Sequence, residues 1–160
     1  MSSSSDITMR SATADDLTAI NAVIEAAIMN WDLPERVKRL ALPSYRYDQH
    51  DLEHLQFCVA ESDHEIIGVA AIEAADKKEL PEKKQGLLLH GLYVHPDYQH
   101  RGVGTQLLNR AEQQVSQQGL DGLLVRAQSD AGNFFTANGM QLLDTKDDRN
   151  YQYRYWKQIA

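Results

Sequence analysis

The sequence predicts an α/β (α+β) fold, a mixed and largely antiparallel central sheet flanked by helices. Three observations predict it. Apolar, β-rich runs at residues 57–61, 65–72 and 87–95 follow one another through short connections, the pattern of antiparallel neighbours. Two longer stretches, 17–28 and 102–118, repeat apolar residues close to the helical period. A further strand and a closing hairpin follow the second helix, so the helices must bury their apolar stripes on the faces of a sheet.

The elements can be justified in order. Residues 7–10 read as a short strand. Thr13 is a suitable N-cap, Asp15 and Asp16 favour the first helical turn, and the helix behind it carries Leu17, Ile20, Ala22, Val23, Ile24, Ala27 and Ile28, close to a 3.6-residue period. Pro34 starts a second, basic helix and Pro43 is expected to end it. Residues 44–54 are polar and aromatic and read as a loop. Ser62-Asp63-His64 suits a hairpin turn between two strands. Residues 76–86 read as a charged, solvated connection, and Pro96 ends the strand at 87–95. The helix that follows places Leu107, Leu108, Ala111 and Val115 on one face and is closed by Gly119. A short buried strand at 123–127, a helix at 130–138 and a hairpin of 140–143 with 150–157 complete the chain. Tyr151, Tyr153 and Tyr155 alternate on the last strand, and core packing is the expectation for that stripe.

Bulk properties exclude several classes. The 160 residues are 42% apolar and 24% charged, with a net charge of −7 and a pI near 5.3. No basic face is available at the level of the whole chain, so neither a nucleic-acid nor an anionic-membrane partner is expected. Cys58 is the single cysteine, which rules out an intrachain disulfide and a cysteine-based zinc site; a buried structural thiol is expected. No apolar run is long enough to span a membrane. Residues 1–6 are expected to form a disordered tail without signal-peptide features, and residues 7–160 one domain in the cytoplasm.

The segment Gln99-His100-Arg101-Gly102-Val103-Gly104 carries the chemistry. Two glycines at i and i+2 are common in tight turns. Here they follow an apolar strand, open an amphipathic helix and sit beside Arg101. A helix start exposes unpaired N–H groups with positive partial charge and receives phosphate well. Side-chain-free glycines let backbone approach a pyrophosphate. A P-loop is excluded because no G-x-x-x-x-G-K-[ST] is present, and a dinucleotide fingerprint because Leu107 stands where its third glycine belongs.

The run Val94-His95-Pro96-Asp97-Tyr98-Gln99-His100-Arg101-Gly102-Val103-Gly104 resembles the acetyl-CoA signature of the GNAT superfamily of N-acetyltransferases, Q/R-x-x-G-x-G/A after V-x-P-x-[YF]. The opening at residues 9–16 and the late Ala131-Gly132-Asn133-Phe134-Phe135 with Gly139-Met140 are similar to its other landmarks, so the resemblance spans about residues 7–157. It implies a GNAT-like acyl-CoA N-acyltransferase fold, with the strands at 87–95 and 123–127 splayed apart. It implies acetyl-CoA as co-substrate, with pantetheine paired to backbone of Leu92 and Val94. Pyrophosphate would lie on the turn, in the stretch Gln99, His100, Arg101, Gly102, Val103, Gly104 and Thr105, and Asn133 and Phe134 would add contacts.

The resemblance implies direct attack of a primary amine on the thioester, so Cys58 needs no nucleophilic role. A lysine-like amine with pKa about 10.4 must first lose a proton, and His90 is the candidate base. It shares a strand face with Leu92 and Val94 and matches the second histidine of the arylalkylamine acetyltransferases, with Leu88 at the first. A hydrogen-bonded core histidine is the alternative. The N–H of Val94 would polarise the thioester carbonyl. The family's general-acid tyrosine corresponds to Phe135; Tyr45, Tyr47 or Tyr98 could replace it, or the thiolate leaves unassisted. Trp31, Arg36, Tyr45 and Tyr47, with Tyr151 and Tyr153, would wall the acceptor site, which takes a small-molecule or peptide amine. A CoA-binding module without catalysis is the competing reading, and a homodimer is compatible with either. No metal site is expected: His50 and His54, the only pair with ligand spacing, fall on the stretch read as loop.

Overall fold

Arg10 links the first strand to the start of the first helix. The computed structural model describes residues 7–127, 132–143 and 153–159. Strand β1 (Thr8–Ser11) pairs antiparallel with β2 (Gln56–Ser62). The Arg10 guanidinium reaches Asp16 at 2.7 Å and Glu61 at 2.8 Å. Asp16 also accepts the Thr13 backbone N–H at 2.7 Å. This capping box leads through a single 3-10 turn into helix α1 (Leu17–Met29). Its buried face is Ile20, Val23, Ile24, Ala27 and Ile28; of the other periodic residues Leu17 is half-buried and Ala22 exposed.

Two local expectations are corrected. Helix α2 (Glu35–Tyr45) continues two residues past Pro43. The missing proline N–H falls in the last turn, where only one backbone bond is lost, and Ser44 Oγ donates to Ala41 O at 2.6 Å. The stretch read as loop contains helix α3 (Gln49–His54). Asp48 and Asp51 form its capping box, with reciprocal backbone-to-carboxylate bonds of 2.9 Å. A carboxylate at both positions does the work of the more usual Ser/Thr and Glu pair.

Strand β3 (Glu65–Ala74) follows a two-residue turn in which Asp63 and His64 have φ of 52° and 66°, the backbone that a tight hairpin demands. Then come β4 (Gly86–Val94), α4 (Val103–Gln117), β5 (Gly122–Ala127), α5 (Gly132–Ala137), β6 (Gln141–Leu142) and β7 (Tyr153–Gln158). The sheet order is β1-β2-β3-β4-β5-β7-β6. Strands β4 and β5 are parallel, in register from Gly86↔Gly122 to Leu89↔Val125; β5 and β6 each pair antiparallel with β7. The predicted mixed, largely antiparallel sheet with helices is the fold observed. Among the described residues no helix is long and apolar enough to cross a membrane.

The chain divides into two compact units, one of residues up to Ala71 with Gly91–Leu108, the other of Ile72–His90 with residues from Asn109 onward. In the first, Ile20, Ile24, Ile28, Phe57, Val59, Val69 and Ala71 form the core, with Leu42 and Tyr47. The start of α4 packs closely on β3: a Cβ on Gly68 would lie 3.0 Å from both Val103 and Leu107 side chains. In the second, Leu88, Leu124 and Trp156 form a cluster, and Phe135 packs on Tyr155 at 5.9 Å. Lys157 there donates to Glu112 and to the carbonyl of Asn138, both at 3.0 Å.

Candidate functional site

Strand β4 has one backbone edge committed to β3. The His95 N–H donates to Ile67 O at 2.8 Å, so at this end of the strand odd-numbered residues turn their backbone groups toward β3. Backbone polar groups alternate between the two edges, and those of Leu92 and Val94 therefore point to the edge away from β3. The register with β5 ends at Leu89↔Val125, while β4 runs on to Val94. Leu92 and Val94, expected to pair with an extended ligand, carry their N–H and C=O groups on the edge such a ligand needs.

The turn beyond Val94 is tightly specified. His95 Nδ1 accepts the Asp97 N–H at 3.1 Å, and Tyr98 N–H returns to His95 O at 2.9 Å. The chain then passes through His100 (φ 64°) and Gly102 (φ 80°) into α4. At Gly102 only glycine takes that backbone without strain, and a Cβ there would meet nothing within 4 Å. The space beside the turn is open. The first bond reaching back along the helix is Gln106 N–H to Gly102 O at 3.0 Å, so the amides of Val103, Gly104 and Thr105 have no acceptor within the helix. Val103, Leu107 and Leu108 are buried and anchor this end. Arg101 lies 5.2 Å from the Tyr98 ring centre, a cation–π contact that holds its positive charge beside the helix start. Amides unpaired within the helix, a helix dipole and a held guanidinium are the features that can receive an anion.

The Tyr93 side chain of β4 meets an aromatic cluster. Trp31 and Tyr45 are T-shaped at 5.4 Å, and Tyr45 meets Tyr93 at 6.5 Å. Tyr47 packs against Phe57 at 4.8 Å and is buried. Asn21 on α1 holds the Tyr47 backbone at both ends, donating to its carbonyl and accepting its N–H at 2.9 Å each. Burial pushes the Tyr93 phenol well above its ordinary pKa, with Tyr45 adding to the rise. Trp31 and Tyr45 keep partial exposure; Tyr47 is a core residue as well as a neighbour of the strand.

In the second unit, His90 is 42% exposed, with Nε2 3.8 Å from Glu73 Oε2. It is therefore not the core histidine that an apolar strand would suggest. Glu73 was not singled out by the sequence, because nothing along the chain shows which β3 side chain faces residue 90. An exposed imidazole beside a carboxylate can accept a proton and has a counter-charge for the cation formed.

The sequence profile of the acetyltransferase (GNAT) family matches residues 25–140. The chain belongs to the GNAT family of acetyltransferases. As a GNAT protein it is similar in fold to the PaiA N-acetyltransferase of Thermoplasma acidophilum, solved with coenzyme A. Identity is 19% and TM-score 0.76, over 96% of this chain and 99% of that one. The ribosomal-protein-S18-alanine N-acetyltransferase of Escherichia coli gives 17% identity and TM-score 0.68, over 97% and 95% of the two chains. YncA of Salmonella typhimurium, solved with acetyl-CoA, gives 18% and 0.65, over 96% and 94%. No curated protein matches this chain.

The remaining GNAT-motif residues fall as follows. Gln99, His100, Arg101, Gly102, Val103, Gly104 and Thr105 lie together on the turn and the first helical residues. Phe134 is half-buried on α5 and meets Phe135 edge-on at 5.2 Å. Asn133 belongs to α5 by its backbone, and its side chain lies outside the described part. Phe135 is buried, so the tyrosine of the family pattern is replaced here by a core side chain. Tyr155 packs as expected while Tyr153 is 37% exposed; Tyr151 lies outside the described residues. Cys58 is half-buried rather than fully buried.

Proposed function

We propose that residues 7–160 form one N-acetyltransferase domain that moves the acetyl group of acetyl-CoA to a primary amine of a small molecule or peptide. The observation that carries this is the junction of β4 and α4. A strand edge turned away from β3 ends in a turn whose His100 and Gly102 have positive φ, and that turn opens a helix start. The first suits an extended pantetheine arm, the second a pyrophosphate. Coenzyme A complexes of proteins with this fold support the same reading.

Acetyl-CoA supplies an activated acyl group, and the chain supplies position and proton transfer. The Val94 N–H donates to the thioester carbonyl oxygen as negative charge develops there. His90 removes a proton from the protonated amine, directly or through water, and Glu73 stabilises the imidazolium that results. The amine nitrogen then bonds to the carbonyl carbon, releases its second proton to water, and the C–S bond breaks. With Phe135 in the core, coenzyme A leaves as a thiolate, tolerable for a thiol of pKa about 8.5. Trp31 and Tyr45 form the acceptor wall, on whose ring faces a cationic amine can rest.

A thiol-release assay across amines, polyamines, amino acids and peptides tests the proposal. Wild type is expected to turn over at least one class, and His90→Ala to lower the rate about 100-fold, a typical general-base effect. A pH–rate profile unchanged in His90→Ala would remove that histidine from the mechanism. Coenzyme A binding without transfer to any amine would identify a binding module instead, the reading that Phe135 favours.

A further inference from the structure

Helix α3 brings together three side chains that the acetyl-transfer reading does not use. One ligand atom each from His50, Glu53 and His54 lies within 4.8 Å of the others. The i, i+4 spacing stacks the two imidazoles along one helix face, with centroids 4.0 Å apart and planes tilted by 33°. His54 is also oriented. Its Nδ1 lies 2.8 Å from the backbone carbonyl of His50. A carbonyl can only accept, so in the neutral ring Nδ1 bears the proton and Nε2 carries the lone pair. A ring N–H tied to a carbonyl is the support that metal-bound histidines use. The capping box of Asp48 and Asp51 fixes the helix without help from an ion.

We propose that His50, Glu53 and His54 form a surface site for a late first-row divalent cation, Zn2+ foremost. Two imidazole nitrogens and one carboxylate suit such an ion, whereas Mg2+ and Ca2+ require oxygen donors. Three protein ligands leave the fourth tetrahedral position to water. The ion fastens α3, the element between Tyr47 and β2, so occupancy raises resistance to unfolding. This site stands whether or not the chain transfers acetyl groups.

The test is calorimetric titration of the metal-stripped full chain with Zn2+, paired with thermal melts with and without the ion. Wild type is expected to bind one equivalent and to melt higher with Zn2+, while Mg2+ does neither. His50→Ala and His54→Ala should each weaken binding at least ~10-fold and remove the melting shift, as loss of a supporting group alone already costs that much. Glu53→Gln should weaken it less, and His64→Ala not at all. All three ligands are exposed, so circular dichroism should show each variant folded. No Zn2+ binding by wild type, or binding that survives both histidine variants, would overturn the site.

Discussion

The Tyr47 hydroxyl crowds the position where a side chain on residue 91 would begin. A Cβ built on Gly91 would lie 2.6 Å from that oxygen and 2.8 Å from the Tyr93 ring. Gly91→Ala is therefore expected to destabilise the protein by about 1–3 kcal/mol, the usual cost of overpacking. Removing the hydroxyl should return part of that loss. In urea denaturation the Gly91→Ala penalty should be smaller in a Tyr47→Phe background than in wild type. Equal penalties would mean that the two groups do not touch.

Gly68 makes a comparable contact on the other side of the first unit. Gly68→Val should press on Val103 and Leu107 and displace the start of α4, costing about 1–3 kcal/mol. Because the helix start is the proposed phosphate site, acetyl-CoA should also bind more weakly. Stability loss with unchanged coenzyme A affinity would separate the helix position from ligand binding.

Gly102 isolates the backbone effect. Since a Cβ there meets nothing, Gly102→Ala should cost only the left-handed strain, about 1–2 kcal/mol. Relaxation of the turn should raise KM for acetyl-CoA more than it lowers kcat. Steady-state kinetics with the co-substrate varied reads this split; a fall in kcat alone would contradict it.

Acid stability should report on Arg10. Its guanidinium bonds hold the Asp16 carboxyl at about 2, below the ordinary 3.8. A depressed carboxyl stabilises the fold above its unfolded pKa, so the contribution is full above about pH 4 and is lost as pH falls through about 2. The pair is partly exposed, so about 1 kcal/mol is expected. Arg10→Ala should be less stable than wild type at pH 6, with the gap closing toward pH 2 in chemical denaturation. A constant gap would assign the effect to something other than this pair.

The sheet, the long helices and the phosphate turn were legible because each is written locally. A continuous apolar run marks β3, a 3.6-residue period marks α1, and the glycines at 102 and 104 mark the turn. Helix α3 was missed because its six residues carry little apolar periodicity, although Asp48 and Asp51 held the signal in their spacing. Partnerships across the sheet were not legible at all. Glu73 beside His90 depends on strand register and Tyr47 on Gly91 on how the segment before α3 packs, and no local pattern of residues 73, 90, 47 or 91 records either.

Coenzyme A affinity of Gly104→Asp tests the central assignment most directly. A carboxylate in the first turn of α4 complements the helix dipole and should leave the melting temperature equal or higher. The same charge would stand among the amides proposed to hold pyrophosphate. Calorimetric titration should show wild type binding coenzyme A and Gly104→Asp binding it at least ~10-fold more weakly, 1.4 kcal/mol or more of like-charge repulsion. Equal affinity in the two proteins, or no binding by wild type, would contradict a coenzyme A site at this turn.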